Sequence, residues 1–196
     1  MQNNLKFFFI FFINLLFIPI SYSNEIFSFN VSEIEVTENG NKIRGLNRGV
    51  ITANDGLIIE ADTFLYDRSL NYLNAKGNVK IENKINKYSI SADSITYLKN
   101  DEKLYTEGNS KLINFNNQTI LAKKIEYDIL SNIISAEGDV VINDPIENYE
   151  IAADSVSYFK NQNKIITIGE TSANINSKYK INSEDVLFLI NSKILT

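Results

Sequence analysis

The 196 residues contain no histidine, no tryptophan and no cysteine. Without histidine the commonest general base, metal ligand and triad member is missing, so any catalysis would have to rest on carboxylates, lysine, serine or tyrosine. No such constellation stands out. No catalytic residue, metal ligand or cofactor is assigned, and an enzyme is not expected. Without cysteine, an exported chain must be held by hydrogen bonding and burial alone, which suits a bacterial periplasm. Nothing resembles a phosphate-binding loop. A net charge of −5 argues against a nucleic-acid partner, whose backbone calls for clustered cations.

Long apolar runs are also missing, with one exception. Phe7 to Ile20 is apolar apart from Asn14, follows Lys6, and ends at Ser21-Tyr22-Ser23. That run is shorter than the roughly 20 residues a spanning helix needs. It reads as a secretory signal, residues 1–23, cut before Asn24. Residues 24–196 then form one domain, large enough for a real core and more acidic by the loss of Lys6.

What the chain does have is a repeat. Ala61-Asp62, Ala92-Asp93, Ala122-Lys123 and Ala153-Asp154 open four units, and Ser183-Glu184 opens a fifth. Gly77, Gly108, Gly138 and Gly169 each follow their Ala at one fixed offset, and Tyr66, Tyr97, Tyr127, Tyr158 and Phe188 follow each opening at another. A period of roughly 30 residues kept this closely marks an architecture in which each unit buries its apolar face against its neighbours.

Within a unit the pattern has period two, the mark of a strand with one buried face. Leu73, Ala75, Val79 and Ile81 alternate with Asn74, Lys76, Asn78 and Lys80, and each later unit repeats this. The first strand of each unit slips in parity between positions equivalent to 61 and 64, which needs a bulge or kink at Asp62-Thr63. Asn-, Asp-, Ser- and Pro-containing turns fall at half the repeat interval, among them Asp67-Arg68-Ser69 and Asp144-Pro145. Nine strands of about ten residues are expected from Leu57 to Ile190, with two less regular ones around Phe27–Val36 and Lys42–Thr52.

If consecutive strands pair through these turns, Ala61 faces Gly77, Gly77 faces Ala92, and the small residues line up across the sheet in one row. Such a row beside a repeated parity slip can crease a sheet. The expected fold is all-β: a twisted jellyroll of bent antiparallel strands around an apolar interior. A flat meander would expose a whole apolar face. A parallel β-helix with one unit per coil is the competing architecture.

Ile58-Ile59-Glu60-Ala61-Asp62 through Ala75-Lys76-Gly77-Asn78-Val79-Lys80-Ile81 resembles the OstA-like lipopolysaccharide-transport family, which includes LptA, the periplasmic part of LptC and the N-terminal domain of LptD. The resemblance extends over nearly the whole of residues 24–196. The opening segment Asn30–Val36 is most similar to the LptD N-terminal domain, and the length to LptA. The resemblance implies a V-shaped jellyroll whose apolar groove holds lipid A acyl chains. It also implies end strands that pair with neighbouring jellyrolls or head to tail with further copies, and a periplasmic location, with outer-membrane association through a partner or a C-terminal barrel. A structural or adhesive β-solenoid without lipid affinity is the alternative function.

On this reading the inward aliphatics are groove candidates: Ile59, Phe64, Val79, Ile81, Ile90, Ile95, Ile120, Ile125, Val140, Ile142 and Val156. The last strand carries few edge-blunting charges, so Ile181, Val186, Leu187, Phe188 and Ile190 are candidates for edge pairing. The acidic positions Asp62, Asp93, Asp154 and Glu184 read as a solvated face at the kink, since Lys123 breaks any carboxylate ladder. The tyrosine row reads as strand-end core packing, and Lys123-Lys124 as a solvated edge.

Overall fold

The computed structural model describes residues 26–192 and 194–196, so the expected signal segment 1–23 lies outside the described residues. The strands are β1 (Phe27–Thr37), β2 (Lys42–Ala53), β3 (Leu57–Ala61), β4 (Thr63–Asp67), β5 (Tyr72–Asn83), β6 (Tyr88–Leu98), β7 (Lys103–Asn114) and β8 (Thr119–Asp128). They continue as β9 (Ile133–Asp144), β10 (Tyr149–Phe159), β11 (Lys164–Ile168), β12 (Thr171–Ile175), β13 (Tyr179–Ser183), β14 (Val186–Leu189) and β15 (Ile194–Leu195). The pairs β3/β4, β11/β12 and β13/β14 are halves of single long strands. Joining them gives nine strands from Leu57 to Leu189 behind two earlier ones, with turns where the sequence places them.

All strand pairs are antiparallel, and they form one continuous sheet with the long strands side by side in chain order. A parallel β-helix is therefore excluded. The alternation is as expected: Leu73, Ala75, Val79 and Ile81 are buried, as are Ile134, Ala136, Val140 and Ile142.

The expected Ala–Gly row does not form. Val79 faces Ala92, Ser110 faces Ala122 and Val140 faces Ala153, while each Gly sits a short step away in a bulge. Opposite the single residue Asp93 stand two residues, Gly77 and Asn78, which is the two-for-one count of a β-bulge. Both have positive φ, 78° and 47°, and so do Gly108-Asn109 and Gly138-Asp139. Antiparallel arithmetic through the turns misses this because it assumes equal residue numbers on both strands. Asn47 and Arg48, with φ of 62° and 58°, bulge β2 in the same way opposite Ser32, so the crease crosses β1 and β2 as well.

The crease folds the sheet onto itself. Phe27 lies on β1 and Tyr97 on β6, four long strands away, which in a flat sheet is about 19 Å. Their ring centroids are 6.3 Å apart. The front half-sheet carries β3, β12, β13 and the adjoining halves of the long strands, with turns 54–56, 84–87, 115–118, 145–148 and 176–178. The back half-sheet carries β4, β11, β14 and β15, with turns 38–41, 68–71, 99–102, 129–132 and 160–163. Between them lies one apolar core, from Phe27 to Ile190.

The half-sheets are staggered. Front residues Phe27, Tyr88 and Tyr149 pack edge-on against back residues Tyr66, Tyr127 and Phe188, always at the same offset along the chain, at 4.9, 5.5 and 5.1 Å. Among the described residues the stagger leaves an uncovered strand at each end. Ile34 and Val36 on the back half of β1 are 50% and 56% exposed, and Tyr179 on β13 is 54% exposed.

Candidate functional site

Three lines of residues define the molecule: the crease, the interior and the two rims of turns. At the crease the repeated acid bonds to the bulge. The Asn78 amide donates to Asp62 Oδ2 at 2.8 Å, and the Asn109 amide to Asp93 at 3.0 Å. In the third unit the polarity is reversed: Lys123 Nζ meets Asp139 Oδ2 at 2.7 Å, with Asp139 standing where the first two units have Asn. Lys123 therefore preserves the contact although it replaces the acid. Lys124, its neighbour, lies 3.7 Å from Glu107. A Cβ on Gly77 would collide with the Asp62 carboxylate, so close approach and positive φ both require glycine there. In the last unit Asp185 rather than Glu184 makes the bond, accepting from the Gly169 amide at 3.0 Å. Among the described residues no group of acids is arranged to hold a metal.

The interior holds all the groove candidates. Ile59, Val79, Ile81, Ile90, Ile120, Val140 and Ile142 line the front half-sheet, Phe64, Ile95, Ile125 and Val156 the back, and none is more than 3% exposed. Two hydroxyl pairs interrupt this surface. Thr106 Oγ1 and Ser110 Oγ are 2.6 Å apart, and Thr167 and Thr171 Oγ1 are 2.8 Å apart. Thr106 and Thr167 also accept from backbone amides displaced near the crease, Ile125 N and Val186 N, both at 2.9 Å. Satisfied in this way, buried hydroxyls carry little penalty.

The rims are where the half-sheets meet. Asp55, in a front turn, lies 2.6 Å from the Lys99 ammonium of a back turn, and Lys99 also reaches Glu102 at 2.5 Å. The Tyr97 hydroxyl donates to Glu102 at 2.9 Å and lies 3.3 Å from Asp55. Burial works against both charges, but hydrogen bonding wins: the Asp55 carboxyl is held below its ordinary value of 3.8 and Lys99 above 10.5. Burial also pushes Tyr97 far above the normal phenol range. Further along, the Gln118 amide donates to the Tyr149 hydroxyl at 2.6 Å and to Asp144 Oδ2 at 3.2 Å. The tyrosine row is thus rim packing, with Tyr66, Tyr97, Tyr127 and Tyr158 all buried.

Sequence reasoning did not single out the front-rim partners Phe27, Tyr88 and Tyr149. Their even spacing, at twice the repeat step, is the available signal, because side-chain roles recur every second unit. Tyr66 bonds Asn71 as Tyr127 bonds Asn132, both at 3.2 Å.

The edge candidates divide. Val186, Phe188 and Ile190 point into the core, and the backbone of Leu187 exchanges hydrogen bonds with Thr196 at 2.7 and 3.0 Å. Strand β15 covers that edge. Of the five, Ile181 lies on β13, which among the described residues pairs on one side only, as does β1 at the other end.

No family model and no curated protein matches this sequence. Among solved structures it is similar to LptH of Pseudomonas aeruginosa, described as the LptA-homologous periplasmic component of the lipopolysaccharide transport device. The TM-score is 0.52 at 16% identity, covering 57% of this chain and 82% of LptH. At that identity the likeness shows the fold: a creased antiparallel β-jellyroll.

Proposed function

We propose that this chain is a periplasmic lipopolysaccharide-transport module that takes lipid A acyl chains between its half-sheets and passes them to a neighbouring jellyroll. The observation that carries this reading is an apolar interior running from β1 to β13 and left uncovered at both ends, in a fold shared with LptH. Burying one twelve-carbon chain is worth roughly 10 kcal/mol at about 0.8 kcal/mol per CH₂. A closed carrier would hold such chains too firmly. An interior continuous with a neighbour's lets them exchange one apolar wall for another, with the driving energy supplied elsewhere.

The partner is another jellyroll, joined through open edges. The stagger leaves β13 without a back strand and the back half of β1 without a front strand, so each end supplies what the other lacks. Lys178 and Lys180 flank one edge, while Glu33 and Glu35 stand on the other. Strand addition of this kind runs head to tail and need not close on itself. Export through the signal segment delivers the chain to that compartment.

The test is photocrosslinking in cells. A benzophenone side chain at Val140 should capture lipopolysaccharide, whereas one at Lys80, on the outer face, should not. Probes at Ile181 and Ile34 should capture jellyroll proteins or further copies. Equal lipid capture from Val140 and Lys80, or none from either, would overturn the lipid reading and leave a structural β-protein.

A further inference from the structure

The rims are not joined evenly. At the first clasp Asp55 and Lys99 bridge the mouth at 2.6 Å, and Phe27 packs against both Tyr66 and Tyr97. At the last clasp Tyr149 packs on Phe188, and the Tyr149 hydroxyl accepts from the Gln118 amide at 2.6 Å. The middle clasp is Tyr88 against Tyr127, rings edge to face at 5.5 Å. The polar bonds of Tyr127 stay within the back half-sheet: it meets Asn132 at 3.2 Å and Lys160 Nζ at 3.1 Å. The Tyr88 hydroxyl is buried without a hydrogen bond of acceptable geometry, although the Asn83 side chain is nearby. Tyr88 itself is only 6% exposed.

We propose that the Tyr88–Tyr127 seam is a side portal, the place where the half-sheets part to admit a single alkyl chain into the interior. A buried hydroxyl without a partner is a standing cost that opening removes, because water then bonds it. Opening the first clasp would instead break the Asp55–Lys99 bridge across the mouth. At the last clasp the Tyr149 hydroxyl already has the Gln118 amide as its partner, so opening relieves no orphan there. Two residues further along the same inward faces lie Ile90 and Ile125, both buried, so a chain passing between the rings next meets apolar side chains. The ammonium of Lys160, set over the Tyr127 ring at 5.1 Å, stands outside that surface, where an anionic headgroup would remain. The portal rests on the lipid-carrying reading, and it gives that reading a lateral route besides the two open ends.

The absence of cysteine makes the test clean. Three double variants place cysteine pairs at Tyr88 and Tyr127, at Phe27 and Tyr97, and at Tyr149 and Phe188, each bridged by a short bifunctional thiol reagent. Uptake of spin-labelled stearate is followed by electron paramagnetic resonance. The middle bridge should slow uptake at least tenfold and the outer two less than twofold. Equal slowing by all three, or slowing by an outer bridge alone, overturns the portal. In parallel, Tyr88→Phe removes only the orphan hydroxyl. It should raise the urea midpoint and increase amide protection several-fold in residues 88–92 and 124–128, and unchanged or lower protection overturns the proposal. If the unbridged protein takes up no stearate, the lipid reading fails by itself. The exchange data on Tyr88→Phe then still decide whether this seam is the weak one.

Discussion

The crease and the rims are the two long sides of the same flattened barrel, and they are built in opposite ways. The crease is solvent-exposed and polar, and its contacts join adjacent strands, in the first three units within one repeat. The rims are aromatic and largely buried, and their contacts join residues that the sheet itself keeps far apart, such as Asp55 and Lys99. The crease bends each strand with backbone geometry, through paired positive-φ residues. The rims hold the bend shut with side chains. A bend of the first kind is local and repeats every unit, while closure of the second kind exists only once the half-sheets meet.

The largest effect should come from the interior that both sides enclose. Val140→Asp places an unpaired charge at a position 1% exposed, and about 4 kcal/mol or more of stability should be lost. Urea unfolding measures it, with Lys80→Ser as the outward control expected to stay within about 0.5 kcal/mol. Comparable losses would mean that the inward face is misassigned.

Next is the crease. Gly108→Ala forces a left-handed conformation on a residue whose Cβ would collide with the Asp93 carboxylate. A loss of about 2 kcal/mol is expected, with exchange protection falling on both half-sheets. If only the rims loosened, the crease would not be the element that sets the bend.

The rim effect should be smaller and dependent on pH. Lys99→Met breaks the bridge to Asp55 and should cost about 1–2 kcal/mol at neutral pH, opening residues 54–56 and 99–102 while leaving the crease protected. Asp55 has a depressed folded pKa, so its contribution is present above the ordinary value of 3.8 and fades as pH falls through the lower folded value. Lys99 has a raised one, so its contribution is complete below 10.5 and fades as pH rises through the higher folded value. The stability difference between wild type and variant should therefore shrink at both extremes. A difference constant from pH 3 to pH 11 would show that the bridge does not hold the rims.

Smallest is the charge reversal in the third unit. Lys123→Asp alone sets two carboxylates together at Asp139 and should destabilise slightly. Adding Asp139→Asn recreates the pair found in the first two units and should restore stability. A thermal-denaturation double-mutant cycle without coupling would make these crease contacts incidental.

Much of this was legible in the chain. The alternation of Leu73, Ala75, Val79 and Ile81, the parity slip after Ala61 and the turn at Pro145 each follow from a residue's own backbone preferences and its immediate neighbours. Strand number, inward face and crease position were therefore all available from one unit and its period. Gly77-Asn78 was legible as a pair of small or turn-forming residues but not as a bulge, because the strand that carries it keeps its own alternation from Ala75 to Val79. The one-residue mismatch shows instead as the slip between Ala61 and Phe64 on the partner strand.

What the sequence determined by itself is thus everything set by local periodicity: strands with one apolar side and a bend in each unit, whereas their antiparallel pairing was read from the structure. What only the tertiary structure decided is how far one half-sheet slides over the other. That stagger pairs Phe27 with Tyr66 and Tyr88 with Tyr127, and it leaves Ile34 and Tyr179 uncovered. It also makes the working unit two repeats long rather than one. The physical reason is that a strand's pattern specifies which face is buried but not which distant strand buries it, and that choice is settled by side chains meeting across the closed mouth.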